Sequence, residues 1–161
     1  MHPRAARLIH DLALAPHPEG GWFAELYRSP LAVRPADGRP PRAALTGVWF
    51  LMVAGQKSAW HLVDSDEIWI HLEGCDVRLW TFDAATGALD STLLGPLAPG
   101  RAPQRVVAAG VWQAAEPLGD YSLTGACVGP GFDFADFRML ADDPAAAAAL
   151  RRADPELLRL A

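Results

Sequence analysis

The chain lacks the features that mark several large classes of protein. It has only two cysteines, Cys75 and Cys127, and no continuous apolar run of the ~18 residues that a membrane-spanning helix requires. Two cysteines without an export signal are typical of free thiols in a reducing cytosol, so we expect a cytoplasmic protein with no membrane partner. Acidic residues outnumber basic ones, and the net charge of −5 disfavours nucleic acid as a partner.

Several local signatures are missing as well. The first residues, MHPRAARLIHDLALAP, contain no continuous apolar core because His10 and Asp11 interrupt it, so no signal peptide is expected. There is no Gly-x-Ser-x-Gly segment, no glycine-rich phosphate loop, and no histidine beside either cysteine. Nucleophilic catalysis therefore has no local support.

The composition favours one all-β domain spanning residues 1–161. A chain of 161 residues with 51% hydrophobic content is long enough for one core, and 14 prolines and 14 glycines divide it into short segments. About eight or nine short strands are predicted, the number that a double-sheet jelly roll needs. They lie at 22–27, 46–54, 76–82, 89–94, 104–107, 111–115 and 121–128, with two more inside 55–74.

Helices are predicted only near the ends of the chain. Residues 3–14 carry apolar side chains at helical spacing, which predicts a short amphipathic helix packed on the outside of the strands. Asp143 followed by Pro144 is a typical helix start and predicts a C-terminal helix. Residues 28–43 are rich in proline and arginine, which predicts a long surface loop.

The stretch 55–74, GQKSAWHLVDSDEIWIHLEG, carries much of the side-chain chemistry of the chain. Alternation puts three side chains on each face of one strand. One face carries Glu67, Trp69 and His71. The opposite face is aliphatic, with Ile68, Ile70 and Leu72. Because a buried carboxylate needs partners, we expect the first face to line a cavity and the aliphatic face to pack in an interior or against another element.

His61 lies one short turn before Glu67, and folding at that turn is expected to bring the two side chains together. An aliphatic pair would hold such a turn at least as well, because buried ion pairs seldom add net stability. We therefore interpret His61 and Glu67 as a catalytic acid–base pair. The alternative is a structural pair that fixes the turn.

The spacing Gly-x5-His-x-Val-x3-Glu-x6-Gly, from Gly55 to Gly74, resembles the first motif of the cupin superfamily, Gly-x5-His-x-His-x3,4-Glu-x6-Gly. Val63 stands where that motif has its second histidine. The second cupin motif, Pro-x-Gly-x2-His, is matched by AAGVWQ, with Gly110 in register and Gln113 in place of the histidine.

Five longer segments resemble one cupin subfamily, cupin 5, known as a domain of unknown function. They are HPEGGWFAELYRS at 17–29, SDEIW at 65–69, GVWQAA at 110–115, GDYSL at 119–123 and PGFDFADF at 130–137. The resemblance covers residues 16–139. It implies a double-stranded β-helix, the cupin jelly roll, with short N-terminal and C-terminal helices.

Further residues are expected around the acid–base pair. Some share a strand face with it, and Gln113 takes the place of the cupin histidine. The predicted substrate-binding residues are Trp69, His71, Gln113, Glu25 and Tyr27. The apolar surface of Trp69 is expected to raise the pKa of Glu67 by desolvation. Asp133 and Asp136 are expected to bond backbone amides at a turn and to have no catalytic role.

A metal site is weighed against this pair because many cupins bind Fe, Mn, Ni or Zn through three histidines and a glutamate. The corresponding set here is His61, Glu67 and Gln113, in which an amide oxygen is a weak ligand. His71 lies about 13 Å along the strand from Glu67, too far to share an ion with it. We therefore expect no cofactor, with a divalent transition metal as the less favoured alternative.

The function favoured by these residues is a metal-independent acid–base enzyme. It would resemble the cupin epimerases and isomerases and act on a small polar substrate, including sugar-derived ones. A cupin that binds a small ligand without turnover, and a metal-dependent cupin enzyme with a reduced ligand set, are the alternatives. The aliphatic strand face and the apolar strand at 46–54 offer more surface than two short helices cover, which predicts a homodimer.

Overall fold

The structure is a computed structural model that describes all residues from Met1 to Ala161. Its strands form two antiparallel sheets in a double-sheet jelly roll, with one additional short ribbon. The first sheet has the order β1 (Ala15–Pro16), β2 (Trp22–Arg28), β5 (Thr46–Val53), β12 (Tyr121–Gly129), β7 (Asp66–Gly74) and β10 (Gln104–Val107). The second has the order β13 (Phe137–Met139), β6 (Ser58–Val63), β11 (Trp112–Pro117), β8 (Val77–Phe82) and β9 (Leu89–Leu94). The ribbon pairs β3 (Ala32–Val33) with β4 (Arg42–Ala43).

The all-β prediction is confirmed, and each predicted strand is present within a few residues of its expected bounds. The strands that sequence reasoning missed, β1, β3, β4 and β13, are two or three residues long. A segment that short carries too little periodicity to be recognised. Residues 28–43 form a surface segment as expected, but the β3–β4 ribbon organises it.

Helix α1 (Pro3–Asp11) ends earlier than the predicted residue 14 and packs on the outer face of the first sheet. Its buried residues Ala5 and Leu8 contact Leu51 and Leu123 there. No helix of the structure has the length and apolar character needed to cross a bilayer.

The C-terminal helices cover the second sheet. Helix α2 (Pro144–Ala153) begins where predicted, because the Asp143 side chain accepts a hydrogen bond from the Ala146 amide. A 3-10 helix (Pro155–Leu160) follows. Its Leu157 carbonyl accepts the indole N–H of Trp60 at 2.9 Å, which fixes this tail to β6.

The turn at residues 64–65 carries the chain from one sheet to the other. β6 belongs to the second sheet and β7 to the first, and they are not neighbours in either. His61 and Glu67 therefore face each other across the interior instead of pairing within a hairpin. This arrangement differs from the local turn expected from the sequence.

The interior between the sheets is packed in one half only. Phe50 and Trp69 lie at the border of a buried apolar cluster that also contains Met52, Val77, Leu79, Leu94, Val107 and Ala115. Beyond these two rings the space between the sheets is open, and this open half is the cavity described below.

The aliphatic face of β7 is not packed in an interior, contrary to expectation. Ile68 is 39% exposed and Leu72 is 44% exposed on the outer face of the first sheet. The neighbouring strand β10 adds Val106, which is also exposed. No element of the chain covers this part of the sheet.

Candidate active site between the sheets

A cavity of about 290 Å³ opens between the two sheets. One wall is the inner face of β2, β5, β7 and β12, and the opposite wall includes His61 on β6. The segments 17–19 and 132–137 complete it. Its size lies near the lower end of the ~300–1,000 Å³ typical of small-molecule sites.

Glu67 is held in the cavity through a three-residue chain of hydrogen bonds. The Trp69 indole N–H donates to Gln113 Oε1 at 2.8 Å, and Gln113 Nε2 donates to Glu67 Oε2 at 2.6 Å. Because an indole N–H is only a donor, it fixes which end of the Gln113 amide faces Glu67. Glu67 Oε1 makes no hydrogen bond to the protein and is available to a ligand.

Gln113 occupies the position expected from the second motif, beside His61 across the β6–β11 pair. It is only 1% exposed and lies behind the cavity wall instead of on it. Its observed role is to orient the Glu67 carboxylate. Trp69, which is equally buried, does lie on the wall beside Glu67.

The partners of His61 define its tautomer. Its Nδ1 lies 2.9 Å from the Ala59 carbonyl oxygen, which accepts hydrogen bonds only, so the proton is on Nδ1. Nε2 therefore presents a lone pair. That atom lies 3.4 Å from Oε2 of Glu19, and no hydrogen bond joins His61 directly to Glu67.

Glu19 is the residue that sequence reasoning left unassigned. Its Oε1 accepts the Ser58 hydroxyl at 2.7 Å, and its Oε2 lies 3.3 Å from Nδ1 of His17 and 3.4 Å from His61. The site thus has two carboxyl groups and two imidazoles. The signal in the sequence was the run His17-Pro-Glu19, placed immediately before two glycines.

Those glycines bring Glu19 to β6. Gly20 has φ +106°, and a Cβ at that position would collide with the Lys57 carbonyl oxygen. This close approach lets the Ala59 amide donate to the Glu19 carbonyl at 2.7 Å. Only glycine combines this backbone angle with this contact.

Burial sets the charge of the site. It raises the pKa of Glu19 to about 8 and that of Glu67 to about 7, although the Ser58 and Gln113 donors oppose the two shifts. Burial also lowers the pKa of His61, and lowers that of His17 to about 4, so both imidazoles are neutral at pH 7. His61 Nε2 presents a lone pair to Glu19 Oε2, so that contact places a proton on Glu19, while the Gln113 N–H donates to Glu67 and favours its ionised form.

The face of β2 differs from the simple alternation used to place Glu25 and Tyr27 together. A bulge at Leu26 shifts the register between Glu25, which pairs with Val48, and Tyr27, which pairs with Gly47. The extra residue reverses the phase, so Glu25 and Arg28 face the cavity while Tyr27 lies on the outer surface. The expected position of Tyr27 in the site is wrong for this reason.

His71 also lies away from the cavity. It is on the same face of β7 as Trp69 but further along the strand, and its Nε2 donates to the Cys75 carbonyl oxygen at 3.1 Å. Alternation predicts the face correctly and carries no information about where along the strand the open space ends.

Two aspartates flank the mouth of the cavity. Asp133 accepts the Ala135 amide at 2.9 Å, as expected for a turn. Asp136 instead accepts from Arg42 at 2.7 and 2.8 Å and from Arg39 at 2.8 Å. This buried cluster ties the 28–43 segment to the aromatic segment 132–137.

The donors in the cavity do not fit a transition metal. No group of three or more His, Cys, Asp and Glu side chains is arranged to hold an ion. Gln113 gives its amide oxygen to Trp69 and Val63 has no ligand atom, so the motif positions offer only His61 Nε2 and Glu67. The set His61, Glu67 and Gln113 therefore cannot converge on one ion without rearrangement.

A double-sheet jelly roll with titratable side chains between its sheets is the architecture of the cupin type. The family model described as "Cupin superfamily (DUF985)", Cupin_5, matches residues 6–140. The chain belongs to this family, as the motif resemblance implied.

Two solved structures are similar over almost the whole chain. A hypothetical protein from Leishmania major is 27% identical, with a TM-score of 0.82, covering 97% of this chain and 95% of its own. A protein from Shewanella oneidensis is 29% identical, with a TM-score of 0.81, covering 97% and 93%. No protein with a curated description matches the chain.

More distant structures show the fold alone. Oxalate decarboxylase from Lactobacillus farciminis is 17% identical with a TM-score of 0.54, and this chain covers 34% of its length. CapF, a capsular polysaccharide assembling protein from Staphylococcus aureus, is 14% identical with a TM-score of 0.58, and 31% of it is covered.

Proposed function

We propose that this protein is a metal-independent acid–base enzyme that moves a proton on a carbon next to a carbonyl group. The observation that carries the proposal is the pair of buried carboxyl groups, Glu19 and Glu67, in one cavity with neutral His61. Glu19 faces the lone pair of His61 Nε2, which favours its protonated form, and Glu67 accepts from Gln113 Nε2, which favours its ionised form, so the pair supplies an acid and a base at the same pH.

The roles follow from the free atoms. Glu67, ionised, takes the proton from carbon through Oε1, and the electron pair of the broken C–H bond forms the C=C of an enol. Glu19, protonated, gives its proton to the carbonyl oxygen. His61 Nε2, which lies next to the Glu19 carboxyl, positions that proton between turnovers. Return of a proton to carbon completes an isomerisation or epimerisation.

Hydrogen–deuterium exchange at the carbon next to a carbonyl, followed by NMR on a panel of small ketones and ketoses, tests this proposal. We expect Glu67→Gln to lower the exchange rate about 10²–10⁴-fold, because it removes the base. His61→Asn should lower the rate as well, because it removes the lone pair that positions the Glu19 proton. Glu116→Gln, at a surface ion pair with Arg159, is the matched control and should exchange at the wild-type rate.

Two outcomes would contradict the proposal. Exchange that persists in both site variants would show that Glu67 and His61 do not take part in the proton transfer. A ligand that binds wild-type protein and never exchanges would favour the alternative, a cupin that holds a small molecule without turnover.

We also propose that two copies of the chain pair through the outer face of the first sheet. The register puts Tyr27, Gly47, Cys127, Ile68 and Val106 in one row across β2, β5, β12, β7 and β10. All five are apolar or small, the row is flat at Gly47, and Tyr27, Ile68 and Val106 are exposed along it. A second copy of the same face would bury it symmetrically.

A cytosolic location is part of the same proposal. Its support is the pair of free thiols, Cys75 and Cys127, which are not bonded to each other.

A further inference from the structure

The cavity has one polar end and one aromatic end. The carboxyl groups of Glu19 and Glu67 occupy the deep end, with the imidazole of His61. Next to this end, towards the mouth, the wall consists of phenyl rings, and Phe137 stacks on the imidazole of His61 with ring centres 5.4 Å apart. Phe132, Phe134 and Phe137 meet edge to face, with ring centres 5.0 to 6.0 Å apart.

The polar side chains near the mouth already have partners within the protein. Arg28 donates to both oxygens of Glu25 and to the Phe132 carbonyl oxygen. Thr46 Oγ1 accepts the Phe132 amide, and Asp133 accepts the Ala135 amide. A ligand passing the mouth would therefore find few unused donors or acceptors until it reached the deep end.

Unused hydrogen-bonding capacity is concentrated at that deep end. Ser58 and Gln113 each occupy one oxygen of a carboxyl group, which leaves Glu67 Oε1, the Glu19 Oε2 that lies between two imidazoles, and Nε2 of His17. This is enough for one carbonyl group and the carbon beside it. It is not enough for the several hydroxyls of a sugar, each of which costs about ten-fold or more in affinity when buried without a partner.

The charges and the size restrict the ligand further. Arg28 is the cation on the cavity wall, and Glu25 neutralises it, while Glu67 and Asp133 are anionic. An anionic ligand would meet net repulsion. A volume of about 290 Å³ suits a single ring with a short side arm and is small for a nucleotide-linked substrate.

We propose that the cavity selects a small, uncharged carbonyl compound with a flat unsaturated or aromatic body, bound with its carbonyl between Glu19 and Glu67 and its ring among Phe132, Phe134 and Phe137. This inference rests on the proposed function, because it takes the carboxyl end as the reacting end. It names an unsaturated or aromatic carbonyl compound as the substrate class, in place of the sugar-derived substrate expected from the sequence.

Equilibrium binding to the Glu67→Gln variant tests the selectivity among neutral probes without turnover, and the anionic probe is titrated with wild type, which keeps the Glu67 charge. The probes are propiophenone, cyclohexyl ethyl ketone, xylulose and benzoylpropionate, titrated by tryptophan fluorescence and calorimetry. We expect saturable binding of propiophenone at millimolar concentration or below, about 2- to 10-fold tighter than the cyclohexyl ketone, because an aromatic pair adds to area burial. Xylulose should bind about ten-fold weaker or worse.

A variant at the mouth tests the position of the ring. Phe134 is 55% exposed, so Phe134→Leu should fold, and it should lose the preference for propiophenone over the cyclohexyl ketone. Leu118, 50% exposed on the β11–β12 turn, provides the matched control, and Leu118→Ala should keep the preference.

The outcomes separate this inference from the proposed function. Preferential propiophenone binding with no deuterium exchange in wild type would support the selectivity and contradict the proposed enzymatic function. Tighter binding of xylulose or of anionic benzoylpropionate would overturn the selectivity whether or not exchange occurs. Absence of saturable propiophenone binding at millimolar concentration, or an unchanged preference in Phe134→Leu, would overturn it as well.

Discussion

Replacing Glu67 by glutamine is expected to make the folded protein more stable at alkaline pH while it removes the proposed activity. Burial raises the pKa of this carboxyl from 4.5 to about 7. A carboxyl with a raised pKa binds its proton more tightly in the folded than in the unfolded chain. Its contribution to stability is therefore complete below about pH 4.5 and is lost as the pH rises through about 7.

The size of the effect follows from the same shift. Each pKa unit corresponds to about 1.4 kcal/mol, so ionising Glu67 in the folded state costs about 3 kcal/mol. Glutamine has no such cost. It also keeps the contact with Gln113, because its amide oxygen accepts the same N–H that the carboxylate accepts.

The assay is urea unfolding of wild type and Glu67→Gln, followed by tryptophan fluorescence, at pH values from about 5 to about 9. We expect the free energy of unfolding of the variant to rise relative to wild type by about 3 kcal/mol across this range. Comparing how the difference in unfolding free energy changes with pH cancels any pH-independent effect of the substitution on stability.

Glu73→Gln, on the same strand, is the matched control. Hydrogen bonds from Arg4 and Tyr121 lower the pKa of Glu73 to about 2, so its contribution is present throughout this pH range. Its substitution should destabilise the protein by an amount that does not change with pH. A difference between wild type and Glu67→Gln that is flat, or that falls as the pH rises, would refute the reasoning that burial controls this carboxyl.

Three further expectations concern the assembly, the metal content and the rate. Light scattering should report twice the 17.3 kDa mass of one chain, and Ile68→Arg on the outer face should give monomers; a wild-type monomer at every concentration would contradict the pairing. Elemental analysis should find less than one equivalent of any transition metal, with a melting temperature that chelators leave unchanged; stoichiometric Fe, Mn, Ni or Zn would revive the metal-dependent alternative. Gln113→Leu should shift the pH at which the exchange rate rises to a higher value, because the lost donor had lowered the pKa of Glu67. The control Gln104→Leu on β10 should leave the pH profile unchanged. An unchanged profile in Gln113→Leu would show that Gln113 does not influence the base.

Local patterns were sufficient for the strands and for two of the site residues. Alternation over 67–72 placed Glu67 and Trp69 on the inner face of β7, where both line the cavity. The motif spacing put Gln113 in place of the cupin histidine, and the structure pairs it with His61 across β6 and β11, behind the cavity wall. These predictions succeeded because side-chain direction along a strand is a local property with a period of two.

The same period failed where the backbone departs from it. One extra residue at Leu26 turned Tyr27 outward and Arg28 inward, and no residue type in that strand announces the bulge. The sequence also carried no indication of how far the cavity extends along β7. A buried apolar cluster ends the cavity before His71.

The chemistry of the site was decided by contacts between residues far apart in the chain. Glu19 reaches Ser58 and His61 only because Gly20 allows the loop to approach β6, and Gln113 reaches Glu67 across the interior. The amino-acid sequence determined the jelly roll, the inner face of β7 and the family. Only the tertiary structure decided which carboxyl keeps its proton, because that depends on burial and on partners supplied by other strands.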